Sequence, residues 1–198
     1  MIDSEPFHLK AFNSVLNQYG KTLTEKDNQQ YIGLSDADAA ADMVKKFKLP
    51  VTAADLALQK AKSYQKILTG NVKAQGGLKE LLKKLKSDNY KLAVASSSRK
   101  EEIQTVLKKL DIEKFFKVVV SGDEVALGKP HPEIYLTTAQ KLSVSPEECL
   151  VLEDAPNGVK SAKAAGMVCF AVPSRETKGQ NFSNADRIFG SLKEIPTV

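Results

Sequence analysis

Hydrophobic and polar positions divide the chain near residue 75. Before that point apolar residues recur at helical spacing, and no strand-like run occurs. Phe7, Ala11, Phe12, Val15, Leu16 and Tyr19 mark a helix over 5–19, stopped by Gly20. Two more helices are predicted over 35–47 and 52–68, opened by Ser35 and Thr52 as caps and separated by Leu49-Pro50. From Gly76 onward, short apolar runs alternate with amphipathic stretches. Helices are predicted over 76–87, 99–110, 131–142 and 155–165. Strands are predicted over 92–95, 118–120, 150–152 and 167–172, with a last short one over 187–189. Such alternation predicts an α/β fold with a parallel sheet and right-handed crossovers. The expected organisation is an all-helical cap over 5–75 and a parallel-sheet core over 76–198, joined by residues 1–4.

Composition narrows the setting. At 198 residues the chain can bury a full core, either as one domain or as a core with a smaller insert. The excess of 29 Lys+Arg over 24 Asp+Glu gives a net charge of +5, which mildly favours anionic ligands. It is too modest and too dispersed for a nucleic-acid surface. The lysines of 79–86 (KELLKKLK) read as the wet face of an amphipathic helix. Cys149 and Cys169 fall in apolar runs, make no metal or disulfide spacing, and read as small core residues. No apolar run approaches a membrane span, and the N-terminus has no signal-peptide pattern. The expected setting is therefore a reducing cytoplasm, with no membrane or nucleic-acid partner.

Three features line up on the predicted sheet. The strand ending at Leu152 runs into Glu153-Asp154, two acids placed just before a helix. Ligands in open α/β sheets bind beyond the carboxyl ends of strands. An acid pair there can hold Mg²⁺ together with a substrate phosphate, or it can be a pair of solvated acids at a helix start. Ser96-Ser97-Ser98 follows the strand over 92–95. Ser98 with Glu101 reads as a capping box, while Ser96, nearest the strand end, is placed to face a ligand. A hydroxyl and free N–H groups at a helix start suit a phosphate. Lys129 sits between Gly128 and Pro130 in a stiff loop before a helix. It is either solvated or a point charge for a phosphoryl oxygen. Anion cradle, charge clamp and metal site are the parts that phosphoryl transfer requires. A nucleophile is missing from the set. No G-x-G-x-x-G follows any strand, which argues against a dinucleotide site.

The chain resembles the haloacid dehalogenase superfamily of phosphatases, in the branch with a helical cap inserted after the first strand. Ala95-Ser96-Ser97-Ser98-Arg99 is similar to that superfamily's second motif, and Gly128-Lys129-Pro130 with Pro132 and Ile134 to its third. Leu152-Glu153-Asp154-Ala155-Pro156-Asn157-Gly158-Val159, with Ala164-Ala165-Gly166-Met167, is similar to its fourth. The texture is closest to β-phosphoglucomutase-like and pseudouridine-5′-phosphatase-like members. The resemblance implies a Rossmann-like core and a small phosphorylated metabolite as substrate. It also implies a phosphoryl group bound by Ser96 and Ser97, a stabilising charge from Lys129, and Mg²⁺ held by Asp154 and Glu153. His8 would line the entrance between cap and core, or pack as a helix-face histidine. A monomer is expected.

Two departures stand out. The first motif of the superfamily, D-x-D-G-[TV], supplies the aspartate nucleophile from the first strand, and nothing in the chain matches it. Met1-Ile2-Asp3-Ser4-Glu5-Pro6-Phe7-His8 resembles the segment that follows that motif, so Asp3 is not the nucleophile. The first core strand is thus expected to be missing between the strands ending at Ala95 and Leu152. A mis-called start, a truncation or a degenerate relative would each produce this. The second departure is Gly33-Leu34-Ser35-Asp36, where mutase-like relatives are expected to carry an arginine. An acid there disfavours a second phosphate, although Asp36 also reads as a first-turn helix acid. The expected function is a phosphomonoester hydrolase lineage whose chain, as given, is inactive or nearly so. A non-catalytic binding protein for phosphate esters or a protein partner is the alternative.

Overall fold

The computed structural model describes residues 5–68 and 72–196. The expected place of residues 1–4 in the core falls outside them. Helix α1 spans Glu5–Leu16, followed by a 3-10 turn that ends at Gly20 in the left-handed region, φ 66°. A short helix α2, Glu25–Asn28, was not predicted. Thr24 and Asp27 cap it reciprocally. Helix α3, Asp36–Phe47, begins where Ser35 Oγ accepts the Asp38 N–H at 3.1 Å. Helix α4, Ala53–Leu68, begins likewise, with Thr52 Oγ1 accepting the Asp55 N–H at 3.1 Å. Phe12, Val15, Leu16, Met43 and Leu56 bury the shared face of these helices.

The remainder alternates as the pattern predicts. Its elements are α5 (Leu78–Ser87), β1 (Ala93–Ser96), α6 (Lys100–Lys109), β2 (Val118–Ser121) and α7 (Glu133–Leu142). They continue with β3 (Leu150–Glu153), α8 (Pro156–Ala164), β4 (Val168–Ala171) and β5 (Arg187–Ile188). All pairing is parallel: β1 lies on β2 with Ala93 opposite Val118, and β3 lies on β4 with Leu150 opposite Val168. One apolar layer joins α5, α6 and residues 192–195 to one face of the strands, and a second joins α7 and α8 to the other. Leu78, Leu81 and Leu82 are buried while the lysines of α5 stay exposed.

Two expectations are corrected. The strands form two sheets, β1-β2 and β3-β4-β5, rather than one. Among the described residues no strand lies between β1 and β3, and the two do not pair with each other. Parallel strands hold together through slanted backbone hydrogen bonds at roughly 4.8 Å spacing, so neighbours separated by an unfilled position cannot close the ladder. The Ser98–Glu101 capping box does not form either. Arg99 is the residue that opens α6, with no side-chain cap of its own. Asp123, from the loop after β2, accepts the Lys100 N–H at 3.0 Å instead. Asp123→Ala therefore leaves a first-turn donor of α6 to solvent, and urea unfolding should show a loss of about 1 kcal/mol.

Candidate functional site

Ser96 at the end of β1 and Asp154 just past β3 line one cavity of about 220 Å³. Lys129, His8, Asp36 and Glu102 line it too. The size suits a small metabolite rather than a larger organic ligand.

The loop before α7 carries Lys129 into the protein, where it is only 7% exposed. Its Nζ donates to Glu153 Oε1 at 2.6 Å, to Tyr135 Oη at 3.1 Å and to the Ala95 carbonyl at 3.4 Å. Tyr135, from the first turn of α7, donates to the same Glu153 oxygen. Burial, then the Glu153 charge, hold its phenol well above the ordinary value, so it remains a neutral donor. Glu153 Oε2 accepts the Asp154 N–H at 3.2 Å and the Ala155 N–H at 3.4 Å. Both carboxylate oxygens of Glu153 are thus engaged inside the protein. A Cβ on Gly158 would lie 2.0 Å from the Glu153 carboxyl carbon, so only glycine lets α8 close over this group.

Asp154 is half-buried at the cavity. Thr177 Oγ1 donates to its carbonyl at 2.6 Å and fixes the turn. Burial acts to raise its carboxyl, and the Lys129 charge acts to lower it. Ser96 Oγ accepts the Ser98 N–H at 3.2 Å. Its own hydrogen has no acceptor among the described residues. Ser97 lines the cavity, yet its hydroxyl donates at 3.3 Å to the Gly33 carbonyl in the loop before α3. Gly33 has φ +83°, and a Cβ there would meet Ala155 at 3.0 Å, so the loop closes on the strand ends only as glycine.

The helical part contributes a second polar cluster. Lys60, on α4, is wholly buried. It donates to Asp36 Oδ2 at 2.6 Å and to His8 Nδ1 at 2.7 Å, and lies 4.4 Å from the Tyr64 ring centre. His8 stacks on Tyr64 at 4.2 Å between centroids. Burial first, then Lys60, push its imidazole well below the ordinary value, so it is a neutral acceptor. The Asp36 charge is matched by Lys60 rather than bare. Glu102, on α6, is 2% exposed and sits 3.9 Å from Lys60 Nζ. Burial is the main cause that lifts its carboxyl from 4.5 to about 7. Among the described residues no group of three His, Cys, Asp or Glu is placed to hold a metal ion. Nor is any described helix long and apolar enough to cross a membrane.

Comparison with known proteins bears on the family and the fold. Residues 1–172 match the family model for haloacid dehalogenase-like hydrolases. A Thermotoga maritima "Phosphorylated carbohydrates phosphatase" is 33% identical over 167 residues, covering 84% of this chain and 77% of the relative. A Drosophila melanogaster "Probable pseudouridine-5'-phosphatase" is 32% identical over 203 residues, covering 98% and 87%. The crystal structure of CbbY from Rhodobacter sphaeroides in complex with phosphate superposes with a TM-score of 0.90. It is 26% identical, and the match covers 98% of this chain and 91% of that one. The chain belongs to the haloacid dehalogenase-like hydrolase family.

Within this haloacid dehalogenase-like chain, Ser96, Ser97, Lys129, Glu153, Asp154 and His8 all line the one cavity. Tyr135, Lys60 and Glu102 were missed by reading the sequence. Lys60 had a signal, since Leu56, Lys60, Tyr64 and Leu68 share one face of α4 at four-residue spacing. Glu102 stands likewise beside the apolar positions Ile103, Val106 and Leu107.

Two tests follow from this geometry. Lys129→Met and Glu153→Gln should each lower stability by about 3–5 kcal/mol, since each strands a buried partner. The double variant should lose less than the sum of the two in a urea-unfolding cycle. Because folding raises the Glu102 pKa, the stability it contributes is present below about pH 4.5 and is lost as pH rises toward about 7. The difference in unfolding free energy between wild type and Glu102→Gln should fall across that interval and level off above it. A difference flat with pH would contradict the assignment.

Proposed function

We propose that the chain carries the phosphate-holding half of a Mg²⁺-dependent phosphomonoester hydrolase site for a small sugar or nucleoside phosphate. The observation that carries this reading is the convergence of Ser96, Lys129 and Asp154 on one cavity from three separate parts of the α/β region. The Ser96 hydroxyl donates to a phosphoryl oxygen. Lys129 gives up its long contact to the Ala95 carbonyl, 3.4 Å, and turns that proton to the same group. Its charge neutralises the phosphoryl oxygens where hydrolysis accumulates charge.

Asp154 would hold the cation, with Glu153 supporting it through the Asp154 N–H. Mg²⁺ is commonly bound by one or two carboxylates plus substrate phosphate and water, so this donor set fits. When bound, Mg²⁺ supplies further neutralisation of the phosphoryl charge. The helical part, 5–75, acts as a cap that places His8 and Asp36 over the core, 76–198 with 1–4. The names of the two relatives, phosphatases of phosphorylated carbohydrates and of pseudouridine-5'-phosphate, support a small phosphorylated metabolite. We take the chain to act in the cytoplasm as a monomer.

No D-x-D-G motif occurs in the sequence, so the covalent route through an aspartyl-phosphate has no nucleophile here. The chain alone then binds phosphate esters without turning them over. With Mg²⁺ and p-nitrophenyl phosphate, phosphate release should stay far below about 1 s⁻¹, the low end of ordinary turnover. Reaching that rate overturns the missing-nucleophile account. Inorganic phosphate should bind by calorimetry, and Ser96→Ala should weaken it about tenfold through loss of one charge-assisted hydrogen bond.

A further inference from the structure

Glu102 is chemically out of place. It is 2% exposed, and neither carboxylate oxygen makes a well-formed hydrogen bond, the backbone N–H of Arg99 being a weak partner from the start of its own helix. The nearest cation, Lys60, stands 3.9 Å away and is committed at shorter range to Asp36 and His8. A buried carboxylate with so few donors is costly to keep ionised unless something supplies more. Glu102 lines the same cavity as Ser96 and Asp154. A ligand in that cavity can supply donors once the enclosed carboxylate turns toward it.

Local charge restricts what that ligand is. One ammonium, Lys60, faces two carboxylates, Asp36 and Glu102, around a histidine held neutral. With Glu102 ionised the cluster has a net negative charge, and with it protonated a net charge near zero, so neither state favours a second phosphate or a carboxylate. The ring of Tyr64 and the apolar side chain of Phe12 complete the wall. Such a surface takes a neutral group rich in O–H donors with an apolar carbon face.

We propose that Glu102 is a specificity residue for the non-phosphoryl part of the ester, accepting hydrogen bonds from hydroxyl groups of a polyol or sugar phosphate. This rests on the phosphate site described above. It adds that the leaving group is read by a carboxylate of the α/β core, on α6, and not by the helical cap alone. A site built to bond a hydroxyl rejects the analogue that lacks it far more strongly than a purely apolar pocket does, because the buried acceptor is left unpaired.

The test compares glycerol phosphate, propyl phosphate and inorganic phosphate by calorimetry on the full chain with Mg²⁺. Glycerol phosphate should bind about tenfold or more tighter than propyl phosphate, the yield of one well-made hydrogen bond to a charged group. In Glu102→Leu, which removes a buried charge and keeps the volume, that ratio should drop to near one. Glu102→Gln, which retains one acceptor oxygen, should keep an intermediate ratio and guards against a folding artefact in the leucine variant. Equal affinity for the two esters in wild type, or a ratio unchanged in Glu102→Leu, overturns the proposal. Failure of inorganic phosphate to bind at all overturns the phosphate-site reading and this one with it.

Discussion

The arrangement depends on one buried ion pair. Lys129 and Glu153 meet at 2.6 Å with both side chains almost fully enclosed. Lys129 also reaches the Ala95 carbonyl on β1, whereas Glu153 ends β3. This pair spans the two sheets at the place where no described strand joins them. Tyr135 anchors it from α7, and the close fit of Gly158 seals it from α8. An isolated ion of either sign in that position would carry a desolvation cost of several kilocalories per mole. Matched and hydrogen-bonded, the pair fixes where both strand ends point.

Function follows from the same constraint. Lys129 keeps its place because Glu153 and Tyr135 hold it, so its charge faces the cavity without a search through rotamers. Glu153 accepts the Asp154 N–H and thereby sets the turn that presents the Asp154 carboxylate. Thr177 fixes the carbonyl of that same residue. Ser96, on the other sheet, brings a hydroxyl with an unspent hydrogen. Such pre-positioned donors and charges are what stabilisation of a phosphoryl group requires. The helical part closes the remaining side through Gly33, whose carbonyl accepts from Ser97 and where a Cβ would crowd Ala155.

Much of this was legible in the residues. Helical periodicity and strand alternation located all but one of the principal elements, because burial imposes both patterns on the chain directly. The short α2 was overlooked although Thr24 and Asp27 spell out its reciprocal cap. The serine run and Glu153-Asp154 pointed to phosphate chemistry because each sits at a strand end, and Gly128-Lys129-Pro130 because it holds a cation in a stiff loop before a helix. Partnerships across long sequence distance were not legible. Asp123 caps a helix from 23 residues away, a contact no local pattern encodes. Tyr135 reads as an ordinary core aromatic until Glu153 is seen beside it. Lys60 and Glu102 drew no attention in the sequence, since a lone acid or base in an amphipathic helix is normally on the wet face.

The central claim is that Ser96, Lys129 and Asp154 enclose one phosphate-and-cation pocket. A crystal structure of the chain grown with Mg²⁺ and inorganic phosphate tests it most directly. The account predicts phosphate density within hydrogen-bond reach of Ser96 Oγ and Lys129 Nζ, with a cation bridging it to the Asp154 carboxylate. Phosphate seated elsewhere, or a cation bound away from Asp154, would contradict it.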